Sequence, residues 1–151
     1  MGALIGEDYF LVKFKEKHGT KFDYSKSKIS TLDKRIKIRC KKHKKYFNAF
    51  PKTHVRTSFG GCNRCRLDEK TNNYIEKYRK IHGEKFDYSN FKFIAHNIKA
   101  TLTCRIHDNT FSVYVRDPLR YKSGGCKLCD LERASSDQRM DLKEFIRRSN
   151  I

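Results

Sequence analysis

Tryptophan is absent from these 151 residues, proline and methionine occur twice each, and acidic residues number only 17 against 35 lysines and arginines. Nor does any stretch approach the run of about 18 apolar residues that a membrane-spanning helix needs. The opening MGALIGEDYF meets acidic residues before a secretory hydrophobic region can develop. These absences point to a soluble, intracellular protein with no membrane partner. Scarce proline beside eleven Phe, eight Tyr and 37% hydrophobic residues excludes a disordered basic tail, and the length fits one domain or two very small ones. A net charge of +18 on so small a body repels itself unless a polyanion is near. Nucleic acid is the commonest intracellular polyanion, with an acidic protein or an anionic surface as the competing readings.

What is present is organised by a repeat. Shifted by 64 positions, residues 10–67 align with 74–131 without a gap and match at 18 of 58 positions. His18, Gly19, Lys21, Phe22, Asp23, Tyr24 and Ser25 recur as His82, Gly83, Lys85, Phe86, Asp87, Tyr88 and Ser89. Repetition at a fixed offset means one supersecondary unit copied in tandem. The units are expected at residues 1–70 and 71–133, followed by a C-terminal helix within 134–151.

Each unit reads as α+β. Phe10, Leu11 and Phe14 at helical spacing predict a helix from about Asp8 to Lys17, stopped by Gly19, and Tyr74, Ile75, Tyr78 and Ile81 repeat it before Gly83. Asn73 followed by Glu76 resembles a helix start, so a break is expected at 71–73. The alternation KRIKIR over 34–39 predicts a strand with Ile36 and Ile38 inward and Arg35, Lys37 and Arg39 outward. Residues 98–103 form its counterpart, and 46–50 and 110–115 the returning strands. A short helix is expected at each second cysteine pair.

The cysteines carry the most specific chemistry. Cys40, His43, Cys62 and Cys65 recur as Cys104, His107, Cys126 and Cys129, which uses every cysteine in the chain. Two-residue gaps turn both ligands of a pair toward one ion, and three thiolates with one imidazole form a closed tetrahedral site for structural Zn2+. A disulfide framework is the competing reading, and the intracellular context argues against it. Two Zn2+ per chain are therefore expected, one in each unit, in preference to cross-braced sites. The glycine pair before each second Cys pair suits a treble clef, with the first ligands on a hairpin knuckle and the second in the first turn of a helix.

The run HG-x-KFDYS, then Cys-x2-His, a phenylalanine, a basic segment and GG-C-x2-C resembles a tandem treble-clef repeat family of large bacteriophages and giant DNA viruses. That resemblance implies zinc and suggests DNA; for a viral protein it would imply action at viral or host DNA in the infected cell. Pro51-x2-His54 also resembles the family's segment between the metal pairs, whereas the second unit has Val115 and Pro118 there.

His54 is the one residue that invites an enzyme reading, as general base of a ββα-type metal-dependent nuclease. No partner constellation accompanies it, so packing or a phosphate contact is expected instead, without catalysis or a small-molecule substrate. A zinc deaminase is excluded, since the chain lacks its glutamate element and its cysteine sets are closed. His18 and His82 are expected to close helix ends as cations.

Charge is unevenly spread: residues 1–66 carry a net +13, residues 67–130 +4 and the remainder +1. Arg35, Lys37, Arg39, Lys41, Lys42, Lys44 and Lys45 crowd one strand and the first knuckle without an intervening acid. Together with Arg56 and Arg64 they are the candidate phosphate contacts, expected to hold nucleic acid, duplex DNA above all, with limited base specificity. Tyr46, Phe47, Phe50 and Phe59 are expected in the core rather than stacked on bases. The C-terminal helix, with Met140, Leu142, Phe145 and Ile146, is expected to close the second unit, a homodimer seam being the alternative.

Overall fold

The computed structural model describes residues 7–149, which divide into two compact units between Glu69 and Lys70. The first holds α1 (Glu7–His18), β1 (Phe22–Asp23), β2 (Ile36–Cys40), β3 (Lys45–Ala49), α2 (Pro51–Arg56) and the opening turns of α3 (Asn63–His82). The second takes the rest of α3, then β4 (Phe86–Asp87), β5 (Lys99–Cys104), β6 (Asn109–Tyr114), α4 (Asp117–Arg120) and α5 (Lys127–Ser149). Each unit has one antiparallel three-stranded sheet, in the orders β1-β2-β3 and β4-β5-β6.

The alternation in the sequence decides which face of the first sheet is covered. Ile36, Ile38 and Cys40 are buried while Lys37 and Arg39 are exposed, and Phe10 and Phe14 of α1 join them in the core. Gly19 ends α1 in the left-handed conformation, φ +55°, and its N–H donates to Lys15 O at 2.8 Å.

The repeated KFDYS run is a packing device. Phe22 and Phe86 are buried, and the next residue turns the chain: Asp23 Oδ1 accepts the Ser25 N–H at 2.9 Å, as Asp87 Oδ1 accepts the Ser89 N–H at 2.9 Å. The paired glycines serve the same aromatic. Gly60 has φ +57°, and a Cβ there would lie 2.6 Å from the Phe22 ring and 2.8 Å from His54. Only glycine allows the turn to close onto that ring.

Two long helices replace the short ones expected. α3 runs 20 residues without the break expected at 71–73, and α5 runs 23 residues from the last cysteine pair through the expected C-terminal helix. A cap at Asn73 would contribute about 1 kcal/mol, which a helix with its backbone bonds already made does not need. Thr71 instead accepts the Phe93 N–H at 2.9 Å through its hydroxyl. Residues 131–137 of α5 are all exposed, as are Phe145 and Ile146, so these side chains do not close the second unit as expected. Met140 and Leu142 lie outside the described side chains.

The units differ most around His54. This residue is wholly buried: its Nδ1 lies 2.6 Å from Gly60 O, its Nε2 2.8 Å from the Tyr24 hydroxyl, and its N–H donates to Phe50 O within α2. Pro118 stands at the equivalent position and has no N–H to donate, so α4 is shorter than α2 and begins at Asp117. The hydroxyl moves as well. Phe14 of the first unit becomes Tyr78, whose hydroxyl donates to Val115 O at 2.6 Å, while the buried Tyr88 hydroxyl, counterpart of Tyr24, has no hydrogen-bond partner among the described residues.

This difference predicts opposite responses to one chemical change. Tyr24→Phe removes the partner of a buried His54 nitrogen and should lower stability by about 1–2 kcal/mol, whereas Tyr88→Phe removes only an unsatisfied hydroxyl and should be neutral or stabilising. Urea unfolding of the two variants beside wild type measures it; equal destabilisation would contradict this account.

Candidate metal centres and the basic face

Each sheet delivers one cysteine and one histidine to a knuckle. Cys40 ends β2 and Cys104 ends β5, and the tight turns that follow carry His43 and His107 before β3 and β6 begin. The second cysteine pair sits at the start of a helix: Cys62 just precedes α3 with Cys65 in its first turn, and Cys126 and Cys129 are placed alike on α5. The β-hairpin, knuckle and helix arrangement is that expected of a treble clef.

The ligand atoms converge. In the first unit His43 Nδ1 lies 3.3 Å from Cys40 Sγ, 3.8 Å from Cys62 Sγ and 3.4 Å from Cys65 Sγ, with Cys40 and Cys65 sulfurs 3.6 Å apart. In the second, His107 Nδ1 lies 3.5, 3.8 and 3.4 Å from the sulfurs of Cys104, Cys126 and Cys129. All six cysteines are free and buried, and sulfurs near 3.6 Å are far beyond the bond of about 2.05 Å in a disulfide. Each set of four could hold one metal ion, and the sets are self-contained, not cross-braced.

Electrostatics favour a cation at each point. Burial pushes the Cys65 thiol up to about 12 and the Cys129 thiol up to about 11, so these sulfurs resist ionising without positive charge beside them. Burial also opposes ionisation of Cys104, yet the N–H groups of His107 and Ile106 donate to its sulfur and hold it below the usual thiol value.

Behind each histidine stands a carboxylate that the spacing of the ligands does not reveal. His43 Nε2 lies 3.3 Å from Asp68 Oδ2, and His107 Nε2 lies 3.0 Å from Glu132 Oε1, both in ion-pair range. Asp68 is itself paired with Lys42, whose hydrogen bond holds the Asp68 carboxyl below its ordinary value. Such carboxylates fix which imidazole nitrogen faces the metal. The available signal was an acidic residue three positions after the last cysteine of each set, one position past the end of the aligned repeat.

The structure separates the other candidates. Arg35, Lys37, Arg39, Lys41, Lys44, Lys45, Arg56 and Arg64 are exposed, and Lys42 is exposed but committed to Asp68. Phe47 and Phe59 pack against the core as expected, whereas Tyr46 and Phe50 lie on the outer face, 41% and 37% exposed. His54 cannot meet a phosphate, since both its ring nitrogens face protein groups in the interior. Burial lowers its pKa to about 4 and also lowers that of His18. His18 is therefore no helix-end cation; its Nε2 donates to His54 O at 2.7 Å. The second unit keeps that bond although Pro118 replaces His54: His82 Nε2 donates to Pro118 O at 2.5 Å, because the acceptor is backbone.

Comparison with known proteins agrees with the repeat. The family described as "Protein of unknown function (DUF723)" matches twice, over residues 6–66 and 68–130. An uncharacterized protein of Acanthamoeba polyphaga mimivirus is 28% identical over 145 residues, covering 93% of this chain and 69% of the relative. A second from the same virus is 34% identical over 105 residues, 68% of this chain but only 37% of its own length, so the chain spans little more than a third of some relatives. No solved structure matches.

Two outcomes follow. Elemental analysis should find two divalent ions per chain, and Asp68→Asn should weaken retention of one of them by about tenfold or more against a chelator; one ion per chain would contradict independent sites. His54 has a folded pKa below its unfolded value, so its contribution to stability is complete above about pH 6.5 and is lost as pH falls toward 4. In NMR titration its ring should remain neutral at pH 5.5, and a midpoint near 6.5 would mean that water reaches it.

Proposed function

Since the chain belongs to the DUF723 family, we propose from its geometry that it is a zinc-stabilised binding module that holds nucleic acid, DNA in preference, through phosphate-directed cations with little reading of bases. The observation that carries this reading is the run of exposed cations on β2 and the first knuckle, mounted on a site whose own ligands fix the backbone. A tetrahedral ion with Zn–S of about 2.3 Å and Zn–N of about 2.0 Å has ligand–ligand edges of roughly 3.5–3.8 Å, close to the separations in both units. The donor set of three sulfurs and one nitrogen suits Zn2+ better than Ca2+ or Mg2+, which take oxygen ligands. Bound there, zinc would act structurally, since four protein ligands leave no position for water.

No catalytic step enters this reading. The nuclease alternative needs a base that water can reach, and His54 is enclosed. Recruitment of an acidic protein would use the same cations and is separated by the experiment below. Among the described residues no helix is long and apolar enough to cross a membrane.

Replacing Lys41, Lys44 and Lys45 by Ala should weaken binding of random-sequence DNA at low salt by tenfold or more. The slope of log affinity against log salt should flatten by about one for each phosphate no longer neutralised, with no change in sequence preference. Lys42 is better left in place because it holds Asp68. Failure of the intact protein to bind DNA or RNA at low salt would overturn the proposal.

A further inference from the structure

The outer face of the first sheet holds more than charge. Tyr46 pairs with Arg39 in the β2–β3 register, and its exposed ring has three cations around it: Lys37 Nζ at 5.1 Å, Lys26 Nζ at 5.3 Å and the Arg39 guanidinium at 5.8 Å from the centroid. On the same side, the Arg35 guanidinium lies 5.0 Å from the exposed Phe50 ring. One aromatic quadrupole attracts a cation to each of its two faces. Three cations about one ring therefore repel one another, and the carboxylate in register with Arg39, that of Asp23, is turned onto the Ser25 N–H.

The second unit acts as an internal control. In the same register Thr103 faces Thr110, their hydroxyls 2.8 Å apart, where the first unit has Arg39 and Tyr46. Thr101 replaces Lys37. The fold thus forms without an aromatic ring or a cation in that rung. The outer ring position is kept in both units: Tyr114 is exposed with Lys99 Nζ 5.4 Å and Arg116 5.9 Å from its centroid.

We infer that the β2–β3 face of the first unit is a stacking platform for unpaired bases, with Tyr46 and Phe50 offering their rings as Arg35, Lys37, Arg39 and Lys26 shift from those rings onto the phosphates. This rests on the nucleic-acid reading above and narrows it to single strands, in place of the duplex expected from charge alone. The physical reason is complementarity of both parts at once. A single strand presents phosphates and free base faces together, whereas a duplex keeps its base faces stacked inside. An acidic peptide would match the cations but would leave the rings without partners.

The test uses the intact metal-loaded chain with oligothymidine of roughly 15 nucleotides and with a duplex of the same length at one low salt concentration. Tyr46→Thr copies the second unit, keeps the charge unchanged and is checked for folding by its metal content. It should weaken single-strand binding about tenfold and duplex binding less than about twofold, while Tyr46→Phe should bind as wild type does. Equal weakening for both polymers, or none for the single strand, would overturn the stacking platform and leave phosphate binding standing. No binding of either polymer by wild type would remove the nucleic-acid reading itself.

Discussion

Three sulfurs and one imidazole nitrogen brought to a single point in each unit are the constraint on which the remaining structure depends. The cores are small, about ten buried residues in the first unit including three cysteines, and a single core in a unit of this size supplies only about 3–5 kcal/mol. An ion held by these four side chains would join the end of one strand, a turn and the start of a helix, and so would fix the relative placement of most elements of a unit. Asp68 and Glu132 behind the histidines, the glycine turns before the second cysteine pairs and the phenylalanines beneath those turns all serve that convergence.

The repeat makes it possible to separate what the fold requires from what one copy has added. Ligands, glycine pair, buried phenylalanine and aspartate turn are present twice. His54 with Tyr24, and the cationic ring around Tyr46, are present once. Around His54 the second unit reaches a packed arrangement by another route, with Pro118 and the Tyr78 hydroxyl, and leaves the Tyr88 hydroxyl unpaired. Around Tyr46 it substitutes two threonines that satisfy each other. The first difference is a matter of packing. The second alters what the surface can attract.

Features encoded by local pattern are readable in the sequence: the inward Ile36 and Ile38, the left-handed Gly19, the grouping of three cysteines with one histidine in each unit and the outward Arg35, Lys37 and Arg39. Features set by tertiary partners are not. Asn73 has the local chemistry of a helix start, yet the helix continues because its hydrogen bonds are already made. His18 carries the signature of a helix-end cation, but burial against His54 keeps it neutral and makes it a donor across the unit. The short strands β1 and β4 have only two residues each and offer no alternation to detect. Tyr46 and Phe50 suit a core by residue type, since aromatics in strands usually lie there; their alternation with Phe47 and Ala49 puts them on the other face.

The unbroken α3 also bears on the order in which the chain assembles. The costly event in forming a helix is its first turn, and the first turn of α3 carries Cys65 of the first unit's metal set. Farther along the same helix lies Tyr78, which is wholly buried in the core of the second unit. An ion held at Cys65 would supply a nucleus for the helix that also carries Tyr78. A first unit that takes up its ion early would thus hand the second a helix already begun.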